Sequence, residues 1–332
     1  MVIEIADDFD LKKIADSGQC FRWTEVAEGY QIIAGDHLLR IRECQQTEDR
    51  SVRIEEVRAD RKERGEGNRE DQENGKKRGE STRGQKEGFL KLEQGSGENG
   101  DDRKEEAGCF ELSCSVEEFE SFWKRYFDLG LDYSAVRQRI DPEKDPYLYR
   151  ASACGRGIRI LNQDPWETLV TFIISQRKNI PAIRLSVEKL CRMAGTQLAE
   201  GIYSFPAPEQ LCLLSEEQLA ACSLGYRSKY VHRAAEDAAD GRIDFRSLAA
   251  LPDDALKREL MKLYGVGIKV ANCEMLFGFH RLDSFPEDVW ILRLLQEAYP
   301  NGFPFDEYRP YNGIMQQYLF WYRRTVTPLA GA

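Results

Sequence analysis

The sequence predicts an α+β protein with two lobes: a small N-terminal antiparallel β-sheet domain and a helical domain after it. Two alternating apolar stretches, 29–35 and 37–42, predict a β-hairpin around the turn Gly35-Asp36. From residue 116 onward, apolar residues recur at helical spacing between helix-capping residues. A charged segment, 47–107, interrupts the first lobe. We therefore place the sheet domain at 1–120, the helical domain at 121–325 and a tail at 326–332.

The charge balance excludes one class of nucleic-acid binding. The 332 residues include 47 Lys and Arg against 57 Asp and Glu, a net charge of −10, so a protein that coats nucleic acid through bulk positive charge is excluded. No apolar run approaches the roughly 20 residues of a membrane-spanning helix. The N-terminus lacks the basic and apolar regions of a signal peptide. We expect no membrane partner, and a cytoplasmic location in a bacterium or a nuclear one in a eukaryote.

The nine cysteines are expected to be reduced and mostly buried. Their number is odd, they form no C-x-x-C pair, and only three histidines accompany them, so a zinc site is not expected. No cysteine follows Cys273, which excludes a C-terminal cluster of four thiolates. We therefore expect no iron–sulfur cluster.

Residues 47–107 differ in composition from the rest of the chain. They contain 15 basic and 18 acidic side chains, nine glycines and one aromatic residue, Phe89. Such a segment buries too little apolar surface to offset the entropy cost of ordering it. We interpret it as a disordered or loosely helical insertion in a loop between strands. A solvated spacer is the simpler interpretation, and a partner-binding segment is the alternative.

The remaining elements follow in order. After the insertion, residues 109–114 alternate as another strand, and Ser115 with Glu118 forms a capping box that opens a helix over 116–126. Asp164 followed by Pro165 is typical of a helix start. Further helices are predicted from Asn179 to Gly195, from Ser215 to Leu224, over 226–240, from Asp253 to Leu263, and over 288–299 and 312–324.

The most specific motif lies at 260–275, where one helix ends, a tight turn follows and a second apolar helix begins. Gly265, Val266 and Gly267 form the turn. Glycine permits a positive φ and close backbone approach, and the free amides at the start of the second helix attract an anion. The pattern fits a helix-hairpin-helix element that holds a DNA phosphate. An ordinary connection between two helices is the alternative.

Lys269 and Asp288 add reactive groups to this motif. Lys269 lies in the first turn of the second helix, where the positive helix end and apolar neighbours disfavour an ammonium ion. A neutral amine can attack C1′ of a sugar and form a Schiff base. Asp288 follows in Phe285-Pro286-Glu287-Asp288, where it can cap the next helix and serve as an active-site carboxylate.

These motifs carry a resemblance to a known family. The hairpin with Lys269, followed by Pro286-x-Asp288, resembles the helix-hairpin-helix DNA glycosylase superfamily, and most closely its 8-oxoguanine DNA glycosylase/AP lyase family. The resemblance covers nearly everything outside 47–107. It implies a TATA-binding-protein-like sheet domain, then an all-α helix-hairpin-helix DNA glycosylase domain, with the active site in the cleft between them. The other matching motifs are Gly18–Trp23, Tyr126–Leu129, Asn162–Pro165, Leu224–Tyr230 and Gly313–Phe320.

The resemblance implies a role for each matched residue. Lys269 would attack C1′ of a nucleotide flipped out of the duplex, and Asp288 would stabilise the positive charge that develops on the sugar. The Gly18 carbonyl would accept the N7–H that 8-oxoguanine has and guanine lacks. The partner would be duplex DNA with an oxidised purine, bound by a monomer. Base contacts would come from Cys273, Gln316 and Phe320, and DNA contacts from Arg177, Lys178, Asn179, Tyr226, Arg227, Lys229, Gly265, Val266 and Gly267.

No cofactor is required for this chemistry, although the resemblance implies a monovalent cation on the carbonyls of Leu263 and Val266. The chain also departs from the family pattern. Ala182 stands where eukaryotic members place an Arg that reads the opposite cytosine, and Trp290 replaces a His that contacts phosphate. The preferred opposite base is therefore left open.

Two other functions stay open. The first is a related glycosylase for alkylated or other oxidised purines, which Gly18, Gln316 and Phe320 disfavour. The second is a DNA-binding protein without enzymatic activity, which the presence of both Lys269 and Asp288 disfavours.

Overall fold

The computed structural model describes residues 1–44, 89–91 and 107–326. Its first lobe is a six-stranded sheet. The strands are β1 (Val2–Ile5), β2 (Trp23–Val26), β3 (Gly29–Ala34), β4 (His37–Glu43), β5 (Phe89–Lys91) and β6 (Gly108–Leu112). Their order across the sheet is β2-β3-β4-β6-β1-β5, and every pair is antiparallel except β1 with β5. The sheet lobe and the helices after it confirm the predicted α+β class.

Strand β5 was not predicted. It lies within the charged segment 47–107 and pairs in parallel with β1, Val2 opposite Phe89. At these three residues the prediction of a disordered or loosely helical insertion is wrong, because backbone pairing to an existing strand does not require an apolar segment. Apart from β5 and Ala107, the segment lies outside the described residues.

A disulfide joins Cys44 and Cys109, whose Cα atoms are 5.2 Å apart. The expectation that all nine cysteines are reduced is therefore wrong for this pair. The Cys44 amide donates to the Cys109 carbonyl at 2.8 Å, so sheet register brings the two residues together. The remaining seven cysteines are free thiols.

Most of the helices belong to the second lobe, and local capping explains where several of them start. Asp164, Asn179, Ser215 and Asp288 each accept a hydrogen bond from the amide three residues later, as predicted. The helix that starts at Asp253 ends at Leu260 instead of Leu263, because the chain turns there into the hairpin.

The helices are α1 (Leu11–Asp16), α2 (Val116–Glu118), α3 (Lys124–Tyr126), α4 (Tyr133–Gln138), α5 (Pro146–Cys154), α6 (Pro165–Ser175), α7 (Ile180–Ala194), α8 (Pro208–Cys212), α9 (Glu216–Ala221), α10 (Ser228–Ala239), α11 (Phe245–Ala249), α12 (Asp253–Leu260), α13 (Ile268–Cys273), α14 (Val289–Ala298), α15 (Phe305–Tyr308) and α16 (Asn312–Thr325).

Shorter elements complete the fold. Two π-helical turns, Phe119–Trp123 and Glu274–Gly278, continue α2 and α13, and a 3₁₀ turn, Gly225–Arg227, precedes α10. A small hairpin pairs β7 (Gln197–Ala199) with β8 (Ile202–Tyr203). Within the described ranges, no helix has the length and apolar character needed to cross a membrane.

Each lobe has its own apolar core, and a buried arginine links the two lobes. The Arg159 side chain is fully buried and pairs with Asp7 at 2.8 Å. Its guanidinium also lies 4.2 Å from the centre of the Tyr133 ring. It donates further hydrogen bonds to the carbonyls of Asp8, Phe127, Asp128 and Leu131.

Candidate active site and DNA-binding face

The predicted hairpin is present between α12 and α13. Gly265 has φ +84°, and a Cβ atom there would lie 2.4 Å from Cγ of Tyr230, so only glycine fits. Gly267 precedes α13 and provides no capping side chain. The first amides of α13 therefore lack a capping partner, which suits them to a phosphate oxygen.

Lys269 lies over an aromatic ring in the interior. Its Nζ atom is 4.8 Å from the centre of the Phe172 ring, a cation–π contact. Phe172 is buried in α6 and stacks on Phe277 at 5.5 Å. Sequence reasoning missed Phe172, since it is one apolar residue in a helix that is buried along most of its length.

Cys273, predicted to contact the base, lies one helical turn after Lys269. Burial raises the pKa of its thiol, and the nearby charge of Lys269 opposes this shift only in part. The thiol is therefore uncharged near neutral pH, so it can pack against a base and does not compete with the amine as a thiolate nucleophile.

The loop with Asp288 is attached to the same helix as Lys269. Asn272 of α13 donates from Nδ2 to the Phe285 carbonyl at 3.1 Å, and Ser284 Oγ donates to the Asn272 carbonyl at 3.0 Å. Asp288 then caps α14 by accepting from the Ile291 amide at 2.8 Å. Asp288 therefore serves as the helix cap that the sequence predicted, and its loop is tied to α13.

Gly18 and Phe320, both assigned to the base by the resemblance, lie next to each other. Gly18 has φ +82°, and a Cβ atom there would lie 3.4 Å from Cε1 of Phe320 and 3.6 Å from Cδ1 of Ile180. Gln316 is buried one turn before Phe320. Its amide donates to the Pro286 carbonyl at 3.0 Å and accepts from Gln317 at 2.8 Å. The bond from Gln316 to Pro286 connects the predicted base-binding helix to the loop of Asp288.

The predicted DNA contacts divide into exposed and internal groups. Arg177 is exposed at the turn between α6 and α7, with φ +54°. Lys178 instead donates to Ser186 Oγ and to the Ser223 carbonyl, both at 2.6 Å. Burial lowers the pKa of Lys178, and the Arg227 charge adds to the shift.

Arg227 is also turned inward. It is buried, donates to the Gln176 carbonyl at 2.7 Å, and lies 4.5 Å from the centre of the Tyr226 ring. A direct DNA contact by Arg227 or Lys178 stays a prediction.

The exposed groups form a continuous face with the hairpin. Tyr226 is half exposed, and edge-to-face contacts run from it through Tyr230 to Tyr264 of the hairpin. Gln176 donates to the Gly265 carbonyl at 3.0 Å, which joins the Arg177 turn to the same hairpin. Lys229 is exposed beside this face, whereas Asn179 caps α7 through the Ala182 amide.

The described residues contain no group of three or more His, Cys, Asp or Glu side chains arranged to bind a metal ion. At the hairpin, the Leu263 carbonyl accepts the Val266 amide at 3.0 Å. A monovalent cation on the carbonyls of Leu263 and Val266 stays a prediction.

Glu274, directly after Cys273, is fully buried, and neither carboxyl oxygen has a hydrogen-bond partner. Burial, with a contribution from Asp164, raises the pKa of Glu274 well above its ordinary 4.5. The folded protein thus holds this carboxyl protonated, while the unfolded chain ionises it. Below pH 4.5 both states bind the proton, and the buried carboxyl does not lower the free energy of unfolding. As pH rises above 4.5 the unfolded chain releases the proton first, so the free energy of unfolding falls.

Glu274→Gln is therefore expected to stabilise the protein at pH 7, by at most about 3 kcal/mol, the linkage limit for a carboxyl whose ordinary pKa is 4.5. Urea unfolding at pH 4 and pH 7 checks this, since the stabilisation should disappear at pH 4. The exposed Glu200→Gln is the control and should change little at either pH. A stabilisation by Glu274→Gln that is equal at both pH values would contradict a protonated buried carboxyl.

Comparison with known proteins agrees with this geometry. Residues 1–169 match the family model described as the N-terminal domain of 8-oxoguanine DNA glycosylase, and residues 170–302 match the HhH-GPD superfamily of base excision DNA repair proteins. A probable N-glycosylase/DNA lyase of Methanothermobacter thermautotrophicus is 28% identical over 230 residues, which span 60% of this chain and 72% of that protein.

Two solved structures match along nearly the whole chain. MBOgg1 in complex with a low affinity DNA ligand has a TM-score of 0.73 and 31% identity, over 97% of this chain and 94% of that one. The Clostridium acetobutylicum 8-oxoguanine glycosylase/lyase, bound to DNA with cytosine opposite 8-oxoG, has a TM-score of 0.72 and 27% identity, over 98% and 97%. This chain therefore belongs to the 8-oxoguanine DNA glycosylase family.

Proposed function

We propose that the protein is a base-excision-repair DNA glycosylase with AP lyase activity that removes 8-oxoguanine from duplex DNA. The observation that carries this proposal is the attachment of the Asp288 loop to the helix of Lys269, directly after the hairpin. The contact between Gly18 and Phe320 supports 8-oxoguanine as the base.

The geometry supports a two-stage mechanism. Lys269 attacks C1′ of the flipped nucleotide, the bond from C1′ to N9 breaks, and the base leaves while Asp288 stabilises the positive charge on the sugar. The adduct then opens its C1′–O4′ bond, O4′ takes up the proton that the amine loses, and a Schiff base forms between Lys269 and C1′. The Schiff base acidifies the C2′ protons, and β-elimination of one of them expels the 3′ phosphate and so cleaves the strand 3′ of the lesion. The base is recognised by the Gly18 carbonyl at N7–H, by stacking between Phe320 and Cys273, and by Gln316.

A base-release panel separates this proposal from its alternatives. Duplexes that contain 8-oxoguanine, 3-methyladenine, another oxidised purine or undamaged guanine are compared under single-turnover conditions. We expect 8-oxoguanine to be released fastest. Fastest release of an alkylated purine would favour the related glycosylase, and tight binding without any base release would favour a non-enzymatic DNA-binding protein.

The salt dependence of DNA binding is expected to be shallow, since the net charge is −10 and Lys178 and Arg227 are turned inward. With about four phosphate contacts or fewer, the slope of log K against log salt should be about −4 or shallower. Fluorescence anisotropy from 50 to 200 mM salt measures it. A slope of about −8 would contradict binding through a few placed groups.

Three further properties belong to the proposal. The carbonyls of Leu263 and Val266 would hold a monovalent cation, which adds positive charge beside the DNA phosphate without taking part in the chemistry. The protein would act as a monomer, without a required cofactor or an iron–sulfur cluster. It would work in the cytoplasm of a bacterium, or in the nucleus of a eukaryote.

A further inference from the structure

Two arginines bind the C-terminal end of α1, directly before the turn that contains Gly18. Arg184 of α7 donates from Nη2 to the Ala15 carbonyl at 2.8 Å, and Arg324 of α16 donates from Nη1 to the Asp16 carbonyl at 2.9 Å. Both carbonyls belong to the last turn of α1, where cationic groups are favourable. The turn is therefore clamped between two helices of the other lobe.

Arg324 also contacts the base pocket. Its guanidinium carbon lies 5.2 Å from the centre of the Phe320 ring, which is four residues earlier on the same helix. One side chain thus links the end of α1 before Gly18 to the stacking ring.

The space that these groups enclose is narrow. Gly18 has a positive φ and no side chain of its own, so its carbonyl direction depends on the backbone groups that hold the turn. The Cβ position of Gly18 is already in van der Waals contact with Phe320 and Ile180. Because hydrogen bonds weaken steeply with distance and angle, a small shift of the turn would weaken a bond from N7–H to this carbonyl.

We propose that Arg324, together with Arg184, is a positioning residue that sets the separation between the Gly18 carbonyl and the Phe320 ring. These arginines thereby determine how well the Gly18 carbonyl binds 8-oxoguanine, and they matter less where no base is present. The inference rests on the proposed function, because it assigns the support of its base-reading group. Neither arginine touches the reacting atoms.

The test compares two duplexes with the full-length protein under single-turnover conditions. One duplex contains 8-oxoguanine, and the other contains a preformed abasic site, which has no base to read. Since displacements of about 1 Å cost about 100-fold in rate, Arg324→Ala should slow release of 8-oxoguanine by about 10- to 100-fold. Cleavage at the abasic site should be nearly unchanged. Arg184→Ala should show the same pattern, and Arg324→Lys should restore part of the loss.

The neighbouring Arg323→Ala is the matched control. Arg323 precedes Arg324 on α16, is buried, and pairs with Glu297 at 2.8 Å. Its loss should affect both reactions equally through stability. Equal slowing on both duplexes by Arg324→Ala, or no slowing on either, would overturn the inference alone. A wild-type protein that cleaves abasic sites but never releases 8-oxoguanine would overturn the proposed function and this inference with it.

Discussion

Lys269→Gln is expected to lose base release and strand cleavage on 8-oxoguanine DNA by at least about 1,000-fold, the size of effect seen when a covalent nucleophile is removed. Glutamine is close to lysine in length, so it can occupy the space over Phe172 without disturbing α13. It cannot form the Schiff base through which the proposed β-elimination proceeds. Single-turnover assays, read with and without alkali, measure base release and strand cleavage separately.

Binding should survive this substitution, because the hairpin amides and the exposed DNA-binding face do not depend on Lys269. Lys262→Gln is the matched control. Lys262 lies in the same hairpin but is exposed and pairs with Glu259 at 2.7 Å, so its loss should leave both reactions close to wild type. Cleavage by Lys269→Gln at a rate near wild type would show that another group is the nucleophile.

Arg159→Met is expected to destabilise the protein by about 3–5 kcal/mol, because it breaks a buried ion pair and leaves one charge uncompensated. Asp7 would keep only the amides of Tyr133 and Ser134 as hydrogen-bond donors. The four carbonyls that Arg159 serves would also lose a donor. Urea unfolding at pH 7 measures the loss, with separate probes for the sheet lobe and the helical lobe.

Arg192→Met provides the comparison for an exposed ion pair. Arg192 pairs with Glu188 at 2.9 Å on the surface of α7, and such pairs contribute about 0.5 kcal/mol or less. Both substitutions replace an arginine with methionine. The difference between their losses in the free energy of unfolding therefore reports the effect of burying the ion pair. If Arg159→Met lowered the free energy of unfolding no more than Arg192→Met does, the ion pair of Arg159 with Asp7 would not stabilise the contact between the lobes.

Local hydrogen bonding explains why much of the fold could be predicted from the sequence. The caps at Asp164, Asn179, Ser215 and Asp288 need only a side-chain oxygen and an amide three residues away. Gly265 was also predictable, because its positive φ is a property of the turn itself. The family's motifs assigned Gly18 and Phe320 to the same base, and the structure places the two residues next to each other.

The features that escaped prediction depend on tertiary contacts. Pairing of Cys44 with Cys109 requires the register of two strands from opposite ends of the insertion. From the sequence, Lys178 and Arg227 look like exposed cationic residues that could contact DNA. In the structure, their side chains donate hydrogen bonds to backbone carbonyls of the protein. The sequence did not single out Phe172, because it is one of many apolar residues in its helix. It did not single out Glu274 either, because a glutamate is expected at the surface until its burial is known.

Covalent trapping tests the central claim most directly. The wild-type protein is incubated with an 8-oxoguanine duplex and borohydride, and the adduct is digested and mapped by mass spectrometry. We predict a reduced adduct on Lys269, formed with 8-oxoguanine DNA and not with the matched guanine duplex. No adduct, an adduct on another lysine such as Lys178, or equal trapping on undamaged guanine would contradict the proposal.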